Sequence, residues 1–291
     1  MKTKILQMGA DNFGAGGRSV IAYNLTRPLT DDFQVDFLAI GKLKNPSFHR
    51  IIEENGGQVQ HVKEASSKIK RLRNIYSILK KEKYDIVHIN ADDAIEGLFN
   101  IILSKLVGAK IVLHAHTTSS SRGKGFVGRL KMLTARKIIK FLVDYKLACS
   151  LEAANYLYGD TDLSDVAILK NGIVINDFLY NEELRQKVRE NLNIPVEATV
   201  LGTVGRMSYE KNPEFIVDLI HTFFLKVPNF YFIWIGDGEE RANIETLLDE
   251  EIKLGRVLLL GKQEQPAQYL QAMDVFLLPS FYEGFGIVNI E

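Results

Sequence analysis

Short apolar runs alternate with longer helical patterns along the whole chain, and this alternation limits the fold more than any other feature. Repeated β–α units of this kind form parallel sheets that helices cover on both faces. Helical candidates lie between the runs at 66–83, 94–107 and 126–142. The runs include ILQMG at 5–9, VDFLAI at 35–40, DIVHIN at 85–90, KIVLHAH at 110–116, TVLGTVG at 199–205, YFIWIG at 231–236 and DVFLLPS at 274–280.

The repeats fall into two sets, which predicts an α/β fold of two Rossmann-like domains. Near 172–185 the strand periodicity is lost and Asn, Asp and Glu accumulate, so the join is expected there. We place the domains at 1–177 and 178–291. Ligands of open α/β sheets bind at the carboxyl ends of the strands, which predicts a site in the cleft between the domains.

Composition narrows the class of protein. Charged residues make up 25% of the 291 residues and apolar ones 46%, as in globular proteins. The one cysteine, Cys149, excludes an internal disulfide and favours a reducing cytoplasm. No apolar run approaches the roughly 20 residues that a membrane span needs. We therefore expect a cytoplasmic protein that is not integral to a membrane.

Charge is unevenly distributed along the chain. Up to Asp177 there are 26 Lys and Arg against 18 Asp and Glu, and the rest has 10 against 18, so the two parts carry +8 and −8. A basic part of this size suggests an anionic partner, either a nucleic acid or a membrane surface. No basic–aromatic stacking pattern or DNA-reading motif is present, so nucleic acid is not expected.

Two basic amphipathic stretches lie in this first part. In residues 68–83, Ile69, Leu72, Tyr76 and Leu79 fall on one helical face with lysines and arginines around it, and residues 122–143 are similar. In one interpretation the apolar faces are core and the cations are solvated. In the other, the stretches dock on anionic lipid, at about 1 kcal/mol per cation near the surface. We favour docking at the inner face of the plasma membrane.

Two segments are suited to phosphate. Gly14, Gly16 and Gly17 follow the first strand and lead into a helix, so they form either a phosphate-approach loop or a turn that packs helix on sheet. Arg206 and Lys211 follow the TVLGTVG strand and can converge on one diphosphate. Charge-assisted hydrogen bonds of this kind contribute about 1.5–3 kcal/mol each. The alternative is a solvated pair of loop cations.

Histidines and aspartates follow two further strands. His114 and His116 end KIVLHAH, at the position where α/β folds place working side chains. Because no third ligand is near them in sequence, they are weak evidence for a metal. Asp92 and Asp93 resemble a helix N-cap more than a cation site. We expect no metal.

The end of the chain, EGFGIVNIE, contains two glutamates eight residues apart. Gly284 and Gly286 lie between Glu283 and Glu291, and a helix-like apolar pattern begins at Ile287. A loop that turns into a helix N-terminus offers unpaired N–H groups to an anion, and glycines let a ligand approach the main chain. Carboxylates beside it accept from hydroxyl groups. The segment therefore predicts a cradle for a sugar and a phosphate.

Taken together, the motifs resemble retaining GT-B glycosyltransferases of family 4, the glycosyl transferases group 1. The resemblance covers residues 5–291 and is strongest from 202 to 291. The motifs that carry it are GAGG, HAH, KNGI, VGRMSYEKN, IGDGEER, VLLLG, DVFLLPSFYEGFG and the final glutamate.

The resemblance implies a role for each matching residue. Arg206 and Lys211 match the pair that holds the donor diphosphate and stabilises its departing charge, and His116 is similar to the histidine near the transferred sugar. Glu283 matches the glutamate near that sugar and Glu291 the one that binds the ribose hydroxyls. The remaining matches are backbone amides near the sugar and phosphates, those of Gly16, Gly17, Phe285, Gly286 and Ile287.

The implied reaction moves a sugar, with retention at the anomeric carbon, from a nucleotide-sugar to a glycan or lipid-linked acceptor in polysaccharide or glycolipid synthesis. We expect a UDP-sugar and no metal cofactor. In the family the second domain continues beyond the position of Glu291, so we expect a truncated chain with an incomplete second domain and low or no activity. The alternatives are a GT-B-fold sugar-nucleotide epimerase, or an inactive protein that binds a membrane or a partner without turnover.

Overall fold

The computed structural model of the chain forms two compact units that meet in sequence between Ile173 and Val174. Of the final residues, Gly286 and Ile287 group with the first unit and Val288–Glu291 with the second. Each unit is an α/β layer structure around its own parallel sheet. The structure describes residues 2–9, 17–29, 32–41, 46–63, 66–118, 125–159, 163–281 and 286–291.

The first unit is built on a seven-stranded parallel sheet in the order β3-β2-β1-β4-β5-β6-β7. From β1 to β3, each successive strand pairs on the same side of the one before it, and β4 then pairs with the other side of β1. The strand order therefore reverses between β1 and β4. The strands are β1 Thr3–Met8, β2 Phe33–Ile40, β3 Val59–Val62, β4 Ile86–Ala91, β5 Lys110–Ala115, β6 Tyr145–Ala148 and β7 Val166–Ile168.

Two of these strands, β3 and β7, were not predicted. They form the two edges of the sheet and have only four and three residues. Gln60 and His61 interrupt the apolar run of β3, and Ala167 and Ile168 of β7 are exposed. Edge strands are paired on one side only and need no continuous apolar run, so their sequence signal is weak.

Helices cover the sheet of the first unit. The predicted helices at 66–83, 94–107 and 126–142 are confirmed as α3, α4 and α5. Side chains of Ser67, Asp93 and Ser150 accept the N-cap hydrogen bonds of α3, α4 and α6. The helices are α1 Gly17–Thr26, α2 Pro46–Glu54, α3 Lys68–Glu82, α4 Ala94–Leu106, α5 Gly125–Leu142 and α6 Leu151–Tyr158.

The apolar face predicted for α3 is only partly buried. Leu79 is fully buried, but Ile69 is 76% exposed, and Ile75 lies in the core beside Leu79. Ile69 therefore does not belong to the part of this face that packs in the core. It lies in the first turn of the helix, where the side chain of Lys68 instead reaches the ring of Phe99 at 4.3 Å.

The second unit has a four-stranded parallel sheet in the order β10-β9-β8-β11, so its strand order reverses between β8 and β11. Phe230, Phe232 and Trp234 of β9 are fully buried, as expected of a strand that helices cover. The elements are α7 Glu182–Asn191, β8 Thr199–Val204, α8 Pro213–Lys226, β9 Phe230–Ile235, α9 Arg241–Leu247, α10 Asp249–Lys253, β10 Val257–Gly261, α11 Pro266–Leu270 and β11 Val275–Phe276.

The helix expected to begin at Ile287 is a single 3-10 turn, Ile287–Asn289. Gly286, just before it, has a φ of +61°, a left-handed conformation that glycine adopts without strain. Across the described residues, no helix combines the length and the apolarity that crossing a bilayer requires.

Candidate functional site

In the second unit, the loop after β8 lies at the point where the strand order reverses, which is where open α/β sheets bind ligands. Backbone contacts with the loop after β9 fix its first residue. The N–H of Gly205 donates to the carbonyl of Ile235 at 2.9 Å. Gly236 has a φ of +137°, and a Cβ there would lie 1.9 Å from the Gly205 carbonyl oxygen, so only glycine allows this approach.

The next turn of this loop is fixed from both sides of its backbone. The N–H of Met207 donates to Asp237 at 3.2 Å, and its carbonyl accepts from Glu240 at 3.0 Å. The Met207 side chain is fully buried. Because Arg206 lies between two anchored residues, its backbone position is determined while its side chain is exposed.

Lys211 ends a 3-10 turn, Tyr209–Lys211, in the same loop. Its side chain runs along Gly205, since a Cβ on Gly205 would lie 3.3 Å from Lys211 Cε. Glu210 lies between the two cations in sequence, and its pKa is lowered by a backbone hydrogen bond, by one from Ser208, and by the charges of Arg206 and Lys211. The two predicted cations therefore lie on one loop, with the Lys211 side chain beside the residue that precedes Arg206.

The segment after β11 is fixed to this loop. The N–H of Phe281 donates to the Glu210 carbonyl at 3.0 Å, and the Asn212 amide donates to Pro279 at 3.3 Å. The rings of Tyr209 and Phe281 pack at 5.1 Å between centroids. The segment after β11 therefore lies beside the loop of Arg206 and Lys211 as far as Phe281, which is two residues before Glu283 in the sequence.

Several predicted residues lie outside the described part of the chain, namely Gly14, Gly16, Glu283 and Phe285. Ile287 begins the 3-10 turn that follows Gly286. Glu291 is partly buried, and this burial raises the pKa of its carboxyl group. Gly17 is the first residue of α1 and is exposed, and no atom of the described residues lies within 4 Å of where a Cβ would stand. Among the described residues, the space beside its backbone is therefore open.

In the first unit, the reversal point between β1 and β4 is a second place suited to a ligand. The end of β1 runs close to β4, since a Cβ on Gly9 would lie 1.9 Å from the Asn90 carbonyl oxygen. Beside it, Arg18 at the start of α1 forms ion pairs with Asp92 at 3.5 Å and Glu96 at 3.3 Å.

Asp93 caps α4 and accepts the N–H of Glu96 at 2.8 Å, which confirms the predicted N-cap. The Glu96 carboxylate in turn accepts the N–H of Asp92, the residue before the N-cap, at 2.9 Å, an arrangement similar to a capping box. Within the described ranges, no group of three or more His, Cys, Asp or Glu is arranged to hold a metal ion.

Three buried histidines pack together beside this point. His114 lies over His88, with ring centroids 5.4 Å apart, and over His116 at 4.1 Å. Burial lowers the pKa of His88 to about 4, and burial together with His88 lowers that of His114 to about 3. Burial, then His114, His88 and Arg18, hold the pKa of His116 well below its usual value. All three rings are therefore neutral at pH 7.

A chain of hydrogen bonds connects His116 to the middle of the sheet. His116 Nε2 lies 2.8 Å from Asn90 Oδ1, and the Asn90 amide donates to Gln7 Oε1 at 2.9 Å. Gln7 Nε2 lies 3.0 Å from His88 Nδ1. Gln7, Asn90 and Arg18 were not predicted. Their signal was present, because Gln7 and Asn90 are polar residues inside otherwise apolar strand runs.

Residues 184–291, nearly all of the second unit, match the family model described as Glycosyl transferases group 1. The chain is thus similar to the group 1 glycosyl transferases over its second unit. It is 27% identical over 283 residues to the putative glycosyltransferase EpsF of Bacillus subtilis (strain 168), covering 95% of this chain and 73% of EpsF. It is 26% identical over 238 residues to an Escherichia coli UDP-Gal:α-D-GlcNAc-diphosphoundecaprenol α-1,3-galactosyltransferase, covering 77% of this chain and 59% of that enzyme.

The fold agrees with this assignment. The crystal structure of Anabaena HepE in complex with UDP and glucose superposes with a TM-score of 0.76 at 20% identity. The match covers 98% of this glycosyltransferase and 77% of HepE. The predicted GT-B fold is therefore confirmed. The family match and the curated relatives confirm the predicted transferase class.

Proposed function

We propose that this glycosyltransferase moves a sugar from a UDP-sugar to a glycan or lipid-linked acceptor in polysaccharide or glycolipid synthesis, with retention at the anomeric carbon. The donor proposal is supported by HepE, whose structure contains UDP and glucose. The acceptor proposal is supported by the relative whose name describes a diphosphoundecaprenol-linked acceptor. Retention, and membership of family 4, rest on the motif resemblance.

One observation carries the proposal. Arg206 and Lys211 lie on one loop, with the Lys211 side chain beside Gly205, and the backbone of this loop is anchored at the strand-order reversal of a parallel sheet. Preorganised cations of this kind stabilise charge that develops on a leaving group without having to reorganise during the reaction. We assign them to the donor diphosphate, where they neutralise the departing charge and a metal ion is not needed.

The other residues are assigned by the resemblance. His116 and Glu283 act on the transferred sugar, and Glu291 accepts hydrogen bonds from the ribose. Partial burial strengthens the hydrogen bonds that a Glu291 carboxylate would accept. The amides of Gly16, Gly17, Phe285, Gly286 and Ile287 bind the sugar and phosphates. Gly17 is compatible with this role because its backbone is open to approach.

Isothermal titration with UDP and GDP tests the donor assignment. We expect UDP to bind, and Arg206→Ala or Lys211→Ala to weaken binding about 10- to 150-fold, the value of one charge-assisted hydrogen bond of about 1.5–3 kcal/mol. Lys253→Ala, an exposed cation of the same unit, is the matched control and should not change the affinity. Equal affinities for all four proteins would refute the assignment.

Product analysis separates transfer from epimerisation. A transferase requires an acceptor and releases UDP, whereas a GT-B-fold epimerase changes the sugar of its nucleotide without any acceptor. We expect no altered sugar when the acceptor is omitted. An inactive binding protein would release no UDP with any acceptor.

A specific feature of α5 supports a second proposal, that the protein works at the inner face of the plasma membrane. Met132, Ala135 and Ile139 are buried on one side of this helix. On the opposite side, Phe126 is 85% and Phe141 82% exposed, with Leu130 and Leu133 exposed between them. The helix therefore has a second apolar face that its own core contacts do not explain.

The charges on α5 favour anionic lipid as the occupant of this face. The helix contains five cations and no acidic residue, and Arg129, Lys137 and Lys140 are exposed beside the apolar stripe. Each cation held near an anionic surface contributes about 1 kcal/mol. Burying each phenylalanine in the acyl boundary adds about 1.5–3 kcal/mol.

Vesicle flotation tests this surface. We expect flotation with phosphatidylglycerol vesicles, little with phosphatidylcholine, and loss of binding in Phe126→Ser/Phe141→Ser. Leu225→Ser, which changes an equally exposed apolar residue on α8, is the matched control. Binding that survives the double substitution would refute the surface. The surface would also be refuted if the protein did not bind vesicles and the double substitution changed its oligomeric state. The apolar face would then be a contact between copies of the chain.

A further inference from the structure

The amide of Asn90 is held in one orientation. Its nitrogen donates to Gln7 Oε1 at 2.9 Å and to the Met8 carbonyl at 3.1 Å. A main-chain carbonyl can only accept, so the Asn90 nitrogen must face Met8 and its oxygen must face His116. Asn90 is 1% exposed and Gln7 fully buried, so no solvent competes for these bonds.

This orientation determines where His116 carries its proton. Asn90 Oδ1 can only accept, and His116 Nε2 lies 2.8 Å from it, so Nε2 must be the N–H donor. The ring is neutral, because burial, the neighbouring His114 and His88, and Arg18 all oppose its protonation. His116 Nδ1 then has a lone pair and no proton.

His116 Nδ1 is shielded from solvent and has no hydrogen-bond partner among the described residues. A buried acceptor without a partner costs about 1–3 kcal/mol, a cost that a hydrogen bond from a ligand would remove. A hydroxyl group is the kind of partner that a neutral acceptor of this type satisfies.

We infer that Asn90 is a positioning residue, which holds His116 as the Nε2–H tautomer so that Nδ1 accepts a hydrogen bond from a hydroxyl of the sugar substrate. This rests on the proposed transfer function. Gln7 supports Asn90 from the other side, and its amide, oriented by Asn90, donates to His88 Nδ1.

Nitrogen-15 spectra of protein labelled at histidine test the tautomer directly. At pH 7 we expect His116, identified by its loss in His116→Asn, to be neutral with its proton on Nε2. In Asn90→Ala the fixed tautomer should be lost. Ser104→Ala removes another fully buried polar group of the same unit and is the matched control, with an unchanged His116 signal. A proton on Nδ1 in the unsubstituted protein would overturn the inference, whether or not any variant folds.

Steady-state kinetics test the consequence of this positioning for turnover. We expect Asn90→Ala to lower kcat about 3- to 10-fold, the value of one neutral hydrogen bond, with UDP affinity changed less than about 2-fold because we assign the diphosphate to Arg206 and Lys211. An unchanged kcat would overturn the positioning role. If no donor is turned over by the unsubstituted protein, the transfer proposal fails, while the spectra still decide the tautomer.

Discussion

Substitution of Asp274 should destabilise the second unit more than substitution of an exposed charged residue does. Arg189 of α7 is 2% exposed, and its guanidinium donates to Asp274 at 2.9 Å and to the carbonyls of Ala198 and Ala272 at 3.1 Å. The Asp274 carboxylate also accepts the N–H of Val200 at 2.8 Å. Asp274 also pairs with Arg185 of the same helix, so two ion pairs connect α7 with the starts of β8 and β11.

The expected loss follows from burial. Breaking a buried ion pair by removing one partner costs about 3–5 kcal/mol, because the other charge stays buried. Arg189 fits this case, but the Asp274 side chain is 34% exposed, so water screens part of the interaction. Asparagine also keeps the shape of the side chain. We therefore expect Asp274→Asn to lower the free energy of unfolding by about 2 kcal/mol.

The fluorescence of Trp234 makes this loss in free energy of unfolding measurable. This residue is the single tryptophan of the chain and is fully buried in the second unit, so its fluorescence during urea denaturation reports that unit. With a denaturant slope of about 2 kcal/mol per M, the midpoint should fall by roughly 1 M. Asp249→Asn breaks an exposed pair with Lys253 on α10 and is the matched control, expected to lose at most about 0.5 kcal/mol.

The effect should also depend on pH. Burial opposes ionisation of Asp274, but the Val200 N–H, Arg185 and Arg189 outweigh it and hold its pKa below the usual value. A carboxyl group whose pKa is lowered on folding stabilises above its unfolded pKa and loses that contribution as pH falls through the folded pKa. The difference between the unsubstituted protein and Asp274→Asn should therefore shrink below pH 4. A difference no larger than that of the control, or one independent of pH, would refute the reasoning.

Three further predictions test single residues. Gly17→Ala should keep the melting temperature, because a Cβ there meets no atom of the described residues within 4 Å, yet it should weaken UDP binding in a titration. Gly236→Ala should lower the melting temperature, because its Cβ would lie 1.9 Å from a carbonyl oxygen. UDP affinity should fall as pH is lowered through the raised pKa of Glu291, since a protonated carboxyl accepts more weakly, and Glu291→Gln should remove this pH dependence. Asp93→Ala should cost about 1 kcal/mol in thermal unfolding through loss of the α4 cap, and an unchanged melting temperature would contradict it.

Central strands and long helices could be predicted because their pattern is local. β1, β4, β5, β8 and β9 are buried apolar runs, and α3, α4 and α5 have clear helical periodicity. β3 and β7 are short edge strands, and what makes them strands is a neighbour far away in sequence rather than their own composition. The second apolar face of α5 was similarly ambiguous, since periodicity shows that a helix has apolar faces but not which of them the sheet covers.

The site could be predicted only in part. Arg206 and Lys211 were identifiable because these charged residues directly follow a strand, but the residues that hold their loop in place are distant in sequence. Gly236 and Asp237, about 30 residues later, hold the backbone of their loop. Likewise, Asn90 is 83 residues from Gln7 and 26 from His116, so no sequence window contains the hydrogen bonds that orient the histidine.

The two reversal points differ in local charge. Residues 178–291 carry a net charge of −8, so the proposed attraction for a diphosphate depends on local groups such as Arg206 and Lys211 rather than on the net charge of this part of the chain. In the first unit the histidines are neutral, and Asp92 and Glu96 offset the charge of Arg18. A neutral site with an unpaired acceptor suits hydroxyl groups better than phosphate. On the proposed assignments, substitutions at Arg206 or Lys211 should mainly reduce affinity for UDP, and substitutions at Asn90 should mainly reduce turnover.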